Sequence, residues 1–417
     1  MHTAAAARSC AVESARSQVT VVSMLASHAH SQSHRLASVQ TPVIPVVGRW
    51  IAATPGTVSL GQGIVSYGPP PEVLDAVQRF GGAIADHRYG PVEGSSALLE
   101  IIEAKLAREN GIVVRPGSRV VVTAGGNLAF MNAVLALADP GDEIVLSVPY
   151  YFNHEMAIVM AGARPVPVPT RPDLQLDLEA LARAITPRTR AIVTVSPNNP
   201  TGAVYDDASL RAVNALCRDR GLFHIHDEAY EYFTYGVPHF SPGSIPGAAA
   251  YTISLYSLSK AYGMASWRVG YMVVPEALWS AVTKIQDTLL ICPPAISQHA
   301  AAAALTVGGR WATDRLADLD ATRRHLHAAL TADGVPVTMA EPAGAFYVFV
   351  RVQSSIAPMV LTERLIREHR VAVMPGSAFG AEGCAIRVSY GALDAATVAE
   401  GVSRLVTGLR VIVGEAG

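Results

Sequence analysis

Residues 191–202 read AIVTVSPNNPTG, a mostly apolar run that ends in a dense turn signature. Strands that are buried on both faces, as in parallel sheets, are apolar along their whole length rather than at alternate positions. Pro and Gly after the run end the strand, and the side chain of Asn199 offers an amide to a ligand hydroxyl. The stretch therefore predicts a buried strand with a loop at its carboxyl end.

Similar units occur on both sides of this stretch. Short apolar runs bounded by turn residues predict strands, and amphipathic stretches between them predict helices. The predicted strands are Val120–Thr123, Ile144–Val148, Ala191–Val195, Leu222–His226, Thr252–Leu255 and Val269–Val274. The predicted helices are Leu128–Leu137, Leu178–Ile185, Ser209–Arg218 and Leu278–Leu290. This alternation predicts an α/β fold in which a mostly parallel sheet lies between layers of helices.

The pattern changes near Pro293, where a long helical stretch, Gln298–Leu330, is followed by predicted strands around Phe346–Val350 and Ala385–Ser389. We therefore predict a large domain over residues 61–292 and a smaller α+β domain over residues 293–417. Residues 39–60 are expected to form an N-terminal arm that contributes to the small domain. Residues 1–38 are rich in Ala, Ser and His without a sustained period, so we expect a mostly disordered leader.

The composition favours a small-molecule partner. A formal net charge of -2, with 16% charged residues, provides no basic surface for nucleic acid. No apolar run approaches the roughly 20 residues that a membrane-spanning helix needs. The four cysteines, at positions 10, 217, 292 and 384, lack the spacing of a metal knuckle or a disulfide framework. We expect a cytoplasmic protein that binds neither nucleic acid nor membrane and holds no metal.

Polar residues follow several predicted strands, at the end where ligands bind in open α/β sheets. Gly125 and Gly126 follow the first strand and open a helix, whose free amides suit a phosphate. Tyr151 follows the second strand and offers a ring that can stack on a planar cofactor. Asp227 ends a buried strand, where a carboxylate needs a positive partner such as a protonated ring nitrogen. Each feature alone is more often structural, as a plain turn, a surface aromatic or a helix cap.

Lys260 follows another predicted strand, in Ser257-Leu258-Ser259-Lys260, and Arg268 comes shortly after it. A lysine that is desolvated in a cofactor pocket has a lowered pKa and attacks an aldehyde. The planar fork of an arginine binds phosphate oxygens in pairs. A lone lysine is usually a solvated surface charge. The combination with Asn199 and Asp227 is what favours a functional role.

Taken in order, these motifs resemble the class I and II aminotransferases of the fold-type-I pyridoxal-phosphate family. The resemblance spans roughly residues 61–387. It depends most on Asn199-Pro200-Thr201-Gly202, Asp227-Glu228-Ala229-Tyr230, Ser257-Leu258-Ser259-Lys260 and Arg268-Val269-Gly270-Tyr271. It implies an enzyme that uses pyridoxal 5'-phosphate to move the amino group of an L-amino acid to a 2-oxo acid in two half-reactions.

The resemblance also implies roles for individual residues. Lys260 would form the Schiff base with the cofactor and shuttle the proton, and Asp227 would pair with the ring nitrogen. Arg387 would grip the substrate α-carboxylate, helped by the backbone amide of Gly63. Tyr89 would reach the phosphate of a neighbouring subunit, which implies a homodimer. The other implied cofactor contacts are Asn199 and Tyr230 at the ring hydroxyl, Tyr151 as the stacking ring, His154 behind the aspartate, and Gly126, Asn127, Ser257 and Arg268 at the phosphate.

Some questions stay open in the sequence. The segment Ile64-Val65-Ser66-Tyr67 departs from the Pro-Asp-Phe type of segment that often follows the early glycine in the family, which leaves the substrate unassigned. No arginine for a second carboxylate stands out between Lys284 and Pro294, which weakens a dicarboxylate preference. The same cofactor supports lyase, decarboxylase and oxidase reactions, and the motifs do not choose between them. A transcriptional regulator with an aminotransferase-like domain is a further alternative, but the leader shows no helix-turn-helix pattern.

Overall fold

The computed structural model describes residues 32–114 and 116–415, so most of the predicted leader lies outside the described residues. The helices are α1 (His34–Ala37), α2 (Val43–Ala52), α3 (Pro71–Gln78), α4 (Ser96–Lys105), α5 (Gly126–Leu137), α6 (Phe152–Met160), α7 (Leu178–Arg183), α8 (Asp207–Arg220), α9 (Leu258–Ala261), α10 (Trp279–Leu290), α11 (Ala295–Val307), α12 (Arg310–Thr313), α13 (Leu316–Leu330), α14 (Pro358–His369) and α15 (Ala395–Gly414). The strands are β1 (Val58–Ser59), β2 (Ser118–Thr123), β3 (Glu143–Val148), β4 (Arg164–Pro169), β5 (Thr189–Val195), β6 (Phe223–Asp227), β7 (Thr252–Ser257), β8 (Gly270–Pro275), β9 (Val337–Thr338), β10 (Tyr347–Val352), β11 (Val371–Ala372), β12 (Met374–Pro375) and β13 (Ala385–Ser389).

The main sheet has seven strands in the order β2-β8-β7-β6-β5-β3-β4. Strand β8 is antiparallel to β2 and β7, and the remaining pairs are parallel. This confirms the predicted mostly parallel sheet. The sequence analysis missed β4, whose sequence Arg164-Pro165-Val166-Pro167-Val168-Pro169 alternates with proline. Proline has no N–H to donate to a neighbouring strand, so this strand lies at the edge of the sheet.

Helices cover both faces of this sheet. Neighbouring residues of β5 show the arrangement, because Ile192 packs in a cluster with Leu181 and Leu210 of α7 and α8. Val193 packs on the opposite face, in a cluster that includes Phe130 of α5. Because successive side chains of a strand point to opposite faces, a strand covered on both sides is apolar throughout.

A second sheet is antiparallel, in the order β12-β13-β10-β9, and all its strands fall after residue 293. Strand β1 of the predicted arm pairs with β11, with Val58 opposite Val371. This α+β part confirms the predicted fold class, while the boundaries of the domains stay a prediction.

The predicted long helical stretch from Gln298 to Leu330 is divided into separate helices in the structure. The chain forms α11, α12 and α13, and α11 ends at Val307, just before Gly308, whose φ of 82° suits glycine. A Cβ on Gly309 would collide with the ring of Tyr232. The break therefore needs two glycines, one for backbone conformation and one for a close approach. None of the helices in the described part of the chain has the length and hydropathy of a membrane span.

Candidate active site

A cavity of ≈ 230 Å³ opens at the carboxyl ends of β2, β3, β5, β6 and β7. Open α/β sheets bind ligands at this edge, because the loops that follow parallel strands converge there. Most of the predicted site residues line this cavity: Gly63, Gly126, Asn127, Tyr151, Asn199, Asp227, Tyr230, Ser257, Lys260, Arg268 and Arg387. The fold thus brings together residues that are up to 324 positions apart, Gly63 and Arg387 (387 - 63 = 324).

Lys260 lies on the short helix α9, directly after β7. The hydroxyl of Ser257 caps this helix by accepting a hydrogen bond from the amide of Ser259 at 3.2 Å. The Nζ atom of Lys260 donates to the carbonyl oxygen of Gly63 at 2.6 Å. Burial, together with the positive charges of Arg387 and Arg268, lowers the pKa of Lys260 to about 8. An amine with this pKa is partly deprotonated, and hence nucleophilic, near neutral pH.

Asp227 ends β6 and is 8% exposed. One carboxylate oxygen lies 3.1 Å from Nε2 of His154, and the other accepts from the amide of Ala229 at 3.0 Å. The ring of His154 stacks on Phe130 with a centroid distance of 3.9 Å. These contacts hold the carboxylate in one orientation at the floor of the cavity. His154 lies behind Asp227 and does not line the cavity itself.

Gly125, Gly126, Asn127, Ser257 and Arg268 form what we call the anion cradle. Gly125 has a φ of 84° and a ψ of 172°, a combination that is open almost only to glycine. A Cβ at this position would lie 2.6 Å from Nη2 of Arg268. The first amides of a helix have no partner within the helix, so the start of α5 presents donors beside a guanidinium. This combination fits a phosphate.

Arg387 lies on β13 of the small sheet and is 3% exposed. Its Nη1 donates to Oδ1 of Asn199 at 2.9 Å, and its Nη2 donates to the carbonyl oxygen of Gly61 at 2.6 Å. Its Nε is buried without a hydrogen-bond partner in the described part of the chain. A buried donor without a partner costs free energy. Arg387 as a whole lines the cavity, and its planar guanidinium suits a carboxylate.

The sequence profile of the family described as aminotransferase class I and II matches residues 55–405. The chain is a class I and II aminotransferase. It is 34% identical to an aromatic aminotransferase of Arabidopsis thaliana over 387 residues, which cover 90% of this chain and 96% of the relative. It is 37% identical to an aspartate/prephenate aminotransferase of Thermus thermophilus over 344 residues, which cover 80% of this chain and 86% of the relative.

Solved structures show the same fold. The N-succinyldiaminopimelate aminotransferase of Mycobacterium tuberculosis superposes with a TM-score of 0.84 and is 31% identical, covering 91% of this chain and all of the other. The family and its fold confirm that this aminotransferase depends on pyridoxal 5'-phosphate and transfers an amino group between an amino acid and a 2-oxo acid. The residues of the cavity fit that cofactor, since the anion cradle suits its phosphate and the amine of Lys260 suits its aldehyde.

Tyr347 also lines the cavity, although it was not predicted as a site residue. Its hydroxyl lies 2.8 Å from that of Tyr230, and its ring lies 4.6 Å from the guanidinium carbon of Arg387. Burial raises the pKa of Tyr230 well above its usual value and also raises the pKa of Tyr347, so both hydroxyls stay protonated. The Nδ2 of Asn199 donates to Tyr230 at 3.4 Å. Tyr347 was predicted as part of a small-domain strand and of a turn typical of the family, without a role at the cavity that it lines.

Ile44 was also missed, because it comes from α2, far from the other motifs in the chain. Tyr151 lines the cavity as predicted, and its hydroxyl donates to Oδ1 of Asn127 at 3.3 Å. Tyr89 lies outside the cavity and is 79% exposed. The aminotransferase chain by itself therefore gathers every predicted site residue except Tyr89 at or directly behind the cavity.

Proposed function

We propose that Lys260 binds the aldehyde of the cofactor and then moves the proton in the transfer of an amino group from an L-amino acid to a 2-oxo acid. One observation carries this proposal. The amine of Lys260, with its pKa lowered to about 8, lines the same cavity as the carboxylate of Asp227 and the guanidinium of Arg387. A base, an anion for a ring nitrogen and a cation for a carboxylate are what this reaction requires.

The bound cofactor supplies an electron sink for negative charge at the substrate α-carbon. Asp227 pairs with the ring nitrogen and keeps it protonated, while His154 holds Asp227 in place. Asn199 and Tyr230 donate hydrogen bonds to the ring hydroxyl, and the ring of Tyr151 stacks on the cofactor. The anion cradle holds the phosphate. The support for these roles is that each group lines the cavity or lies directly behind it.

Arg387 binds the substrate α-carboxylate. Its guanidinium is oriented by Asn199 and by the carbonyl oxygen of Gly61, and Arg387 lines the cavity. Gly63 lies beside the substrate, because its carbonyl oxygen accepts from Nζ of Lys260 at 2.6 Å. A Cβ on Gly63 would lie 2.6 Å from the hydroxyl of Tyr347, so glycine is required for this approach. Arg387 and the amine of Lys260 thus both hydrogen-bond to one short segment, through Gly61 and Gly63.

We also propose a homodimer in which Tyr89 reaches the phosphate in the neighbouring subunit. Tyr89 is 79% exposed, and Ile84, Leu289 and Ile291 are also large, exposed and apolar. The amide of Gly90 donates to Sγ of Cys292 at 3.4 Å, which places the two segments side by side. Exposed apolar patches mark interaction sites. Light scattering would measure the molar mass of the holoenzyme in solution. A monomer with full activity would refute the proposed homodimer.

The two sheets support the division into a large domain over residues 61–292 and a small domain over residues 293–417, with residues 39–60 as an arm. The free thiols of Cys217, Cys292 and Cys384 support a cytoplasmic location, where cysteines stay reduced.

The chain offers a sharp test because it contains three lysines, Lys105, Lys260 and Lys284. Borohydride reduction of the holoenzyme, followed by peptide mapping, should find the cofactor on Lys260. Lys105 is 1% exposed and pairs with Glu231 at 2.5 Å, while Lys284 is exposed. Lys260→Ala should abolish the labelling and Lys284→Ala should leave it unchanged. Label on another lysine would refute the assignment.

A screen of half-reactions tests the reaction itself. Each amino acid is mixed with holoenzyme in the absence of a 2-oxo acid, and the conversion of the cofactor to its pyridoxamine form is followed by absorbance. We expect conversion with at least one L-amino acid, and full reversal when a 2-oxo acid is added. Loss of the substrate amino group as free ammonia, with the cofactor unchanged, would overturn the proposal in favour of elimination.

A further inference from the structure

The segment 61–64 contacts both of the groups that handle the substrate. The carbonyl oxygen of Gly61 accepts from Arg387, and the carbonyl oxygen of Gly63 accepts from Lys260, each at 2.6 Å. The hydroxyl of Tyr67 donates to the carbonyl oxygen of Lys260 at 3.2 Å, which anchors the loop that follows. A substrate whose carboxylate is on Arg387 and whose α-carbon faces Lys260 therefore places its side chain beside this loop.

The wall at that position is largely apolar, apart from the amide side chain of Gln62. Ile64 follows Gly63 directly, Ile44 projects from α2, and both line the cavity together with Phe152. Ile44 is 39% exposed and Ile64 is 42% exposed, although both side chains are large and apolar. An apolar substrate side chain would cover this surface, and removing apolar area from water is favourable.

The charges of the cavity point the same way. Among the residues that the structure describes, the cations lining the cavity are Lys260, Arg268 and Arg387. The first two serve the cofactor and the third serves the α-carboxylate. Among these residues of one chain, a second carboxylate on the substrate would therefore lie beside isoleucine without a positive partner. Burying an unpaired carboxylate is costly, so the side chains that one chain contributes disfavour aspartate and glutamate as substrates.

We infer that the amino donor has an apolar side chain, aromatic or branched aliphatic, and that Ile44 and Ile64 are the residues that select it. The inference rests on the proposed function, because it assumes that Arg387 holds the α-carboxylate. It assigns a role in selection to the loop that departs from the family's usual pattern and to a helix that precedes the motifs.

Binding of non-reactive carboxylates to the holoenzyme tests this without turnover. Hydrocinnamate carries one carboxylate and a phenyl ring, and succinate carries two carboxylates. Isothermal titration should give a Kd for hydrocinnamate at least about tenfold below that for succinate. Equal Kd values for succinate and hydrocinnamate would overturn the inference. That result would mean that a cation pairs with the second carboxylate of succinate, whether this chain or a second copy supplies it.

Two variants and a control locate the effect. Ile44→Ala and Ile64→Ala should each weaken hydrocinnamate about tenfold, because each removes methyl groups that the ligand covers, but should weaken propionate less than about twofold. Val411→Ala is the control, since Val411 is 43% exposed on α15 and lies outside the cavity. It should change neither Kd. Equal losses for both ligands in the isoleucine variants would show a structural effect and refute the selective role.

The half-reaction screen separates this inference from the proposed function. Faster conversion with phenylalanine or leucine than with aspartate or glutamate supports both. Faster conversion with aspartate or glutamate overturns the inference and leaves the aminotransferase mechanism intact. Conversion with no amino acid at all overturns the proposed function, and the Kd values of hydrocinnamate and succinate then decide the inference by themselves.

Discussion

Gly125→Ala should damage the anion cradle more than any other single methyl group added to it. The backbone at Gly125, with φ 84° and ψ 172°, lies in a region that costs other residues about 1–3 kcal/mol. The new Cβ would also lie 2.6 Å from Nη2 and 3.0 Å from Cζ of Arg268. The new Cβ is fixed to the backbone at position 125, whereas the atoms that it meets belong to the flexible side chain of Arg268. The guanidinium therefore has to move.

Displacement of Arg268 removes a charged hydrogen-bond donor from the phosphate. Such a bond contributes about 1.5–3 kcal/mol, so phosphate affinity should fall roughly 10- to 150-fold. We would titrate the apoenzyme with inorganic phosphate and measure its unfolding in urea. Gly125→Ala should show the weaker affinity together with a free energy of unfolding lowered by about 1–3 kcal/mol.

Gly126→Ala is the matched control, because it adds the same methyl group one residue later. The nearest atom would be Cβ of Ser257 at 3.8 Å, an ordinary contact, and the free energy of unfolding should change by less than about 0.5 kcal/mol. Combining Gly125→Ala with Arg268→Gln should lose less phosphate affinity than the sum of the single changes. Equal phosphate affinities for the two glycine variants would refute the reasoning, and so would additive losses in the double variant.

The remaining predictions concern the three charged groups of the cavity. Because burial lowers the pKa of Lys260 to about 8, the rate at which the apoenzyme reacts with an aldehyde should rise with pH up to about 8 and then level off; a rate still climbing at pH 10 would contradict this. Arg387→Gln should lower kcat/KM for carboxylate substrates roughly 10- to 150-fold, through the loss of a charged donor, and steady-state kinetics with no change would remove it from the site. Asp227→Asn should reduce kcat on the order of 10²-fold while bound cofactor per chain is retained, so near-normal turnover would argue against its electronic role.

The central strands were predictable because parallel strands covered on both faces are apolar throughout. Strand β7 nevertheless extends to Ser257, two residues beyond the predicted end. The prediction stopped at Leu255 because the next two side chains carry hydroxyl groups. The edge strand β4 was not predicted, because its prolines are typical of loops. The break between α11 and α13 was not predicted. The need for glycine at position 309 comes from its close approach to Tyr232, a residue 77 positions earlier (309 - 232 = 77).

Sequence alone placed Asn199, Asp227 and Lys260 in local motifs at the ends of strands, although these motifs do not choose between transamination and the other reactions of the cofactor. A strand end is a local property, because it depends on neighbouring residues and their turn chemistry. Those motifs were sufficient to predict the cofactor and the family before any contact was known.

Only the tertiary structure decided how the site is tuned and what it selects. The lowered pKa of Lys260 depends on burial and on the charges of Arg387 and Arg268, and Arg387 meets Asn199 across 188 residues of chain. The apolar wall of Ile44 and Ile64 exists because α2 and the loop after Gly63 pack at the same cavity. Desolvation and side-chain contacts between distant segments arise only when the chain is folded, so no local pattern reports them.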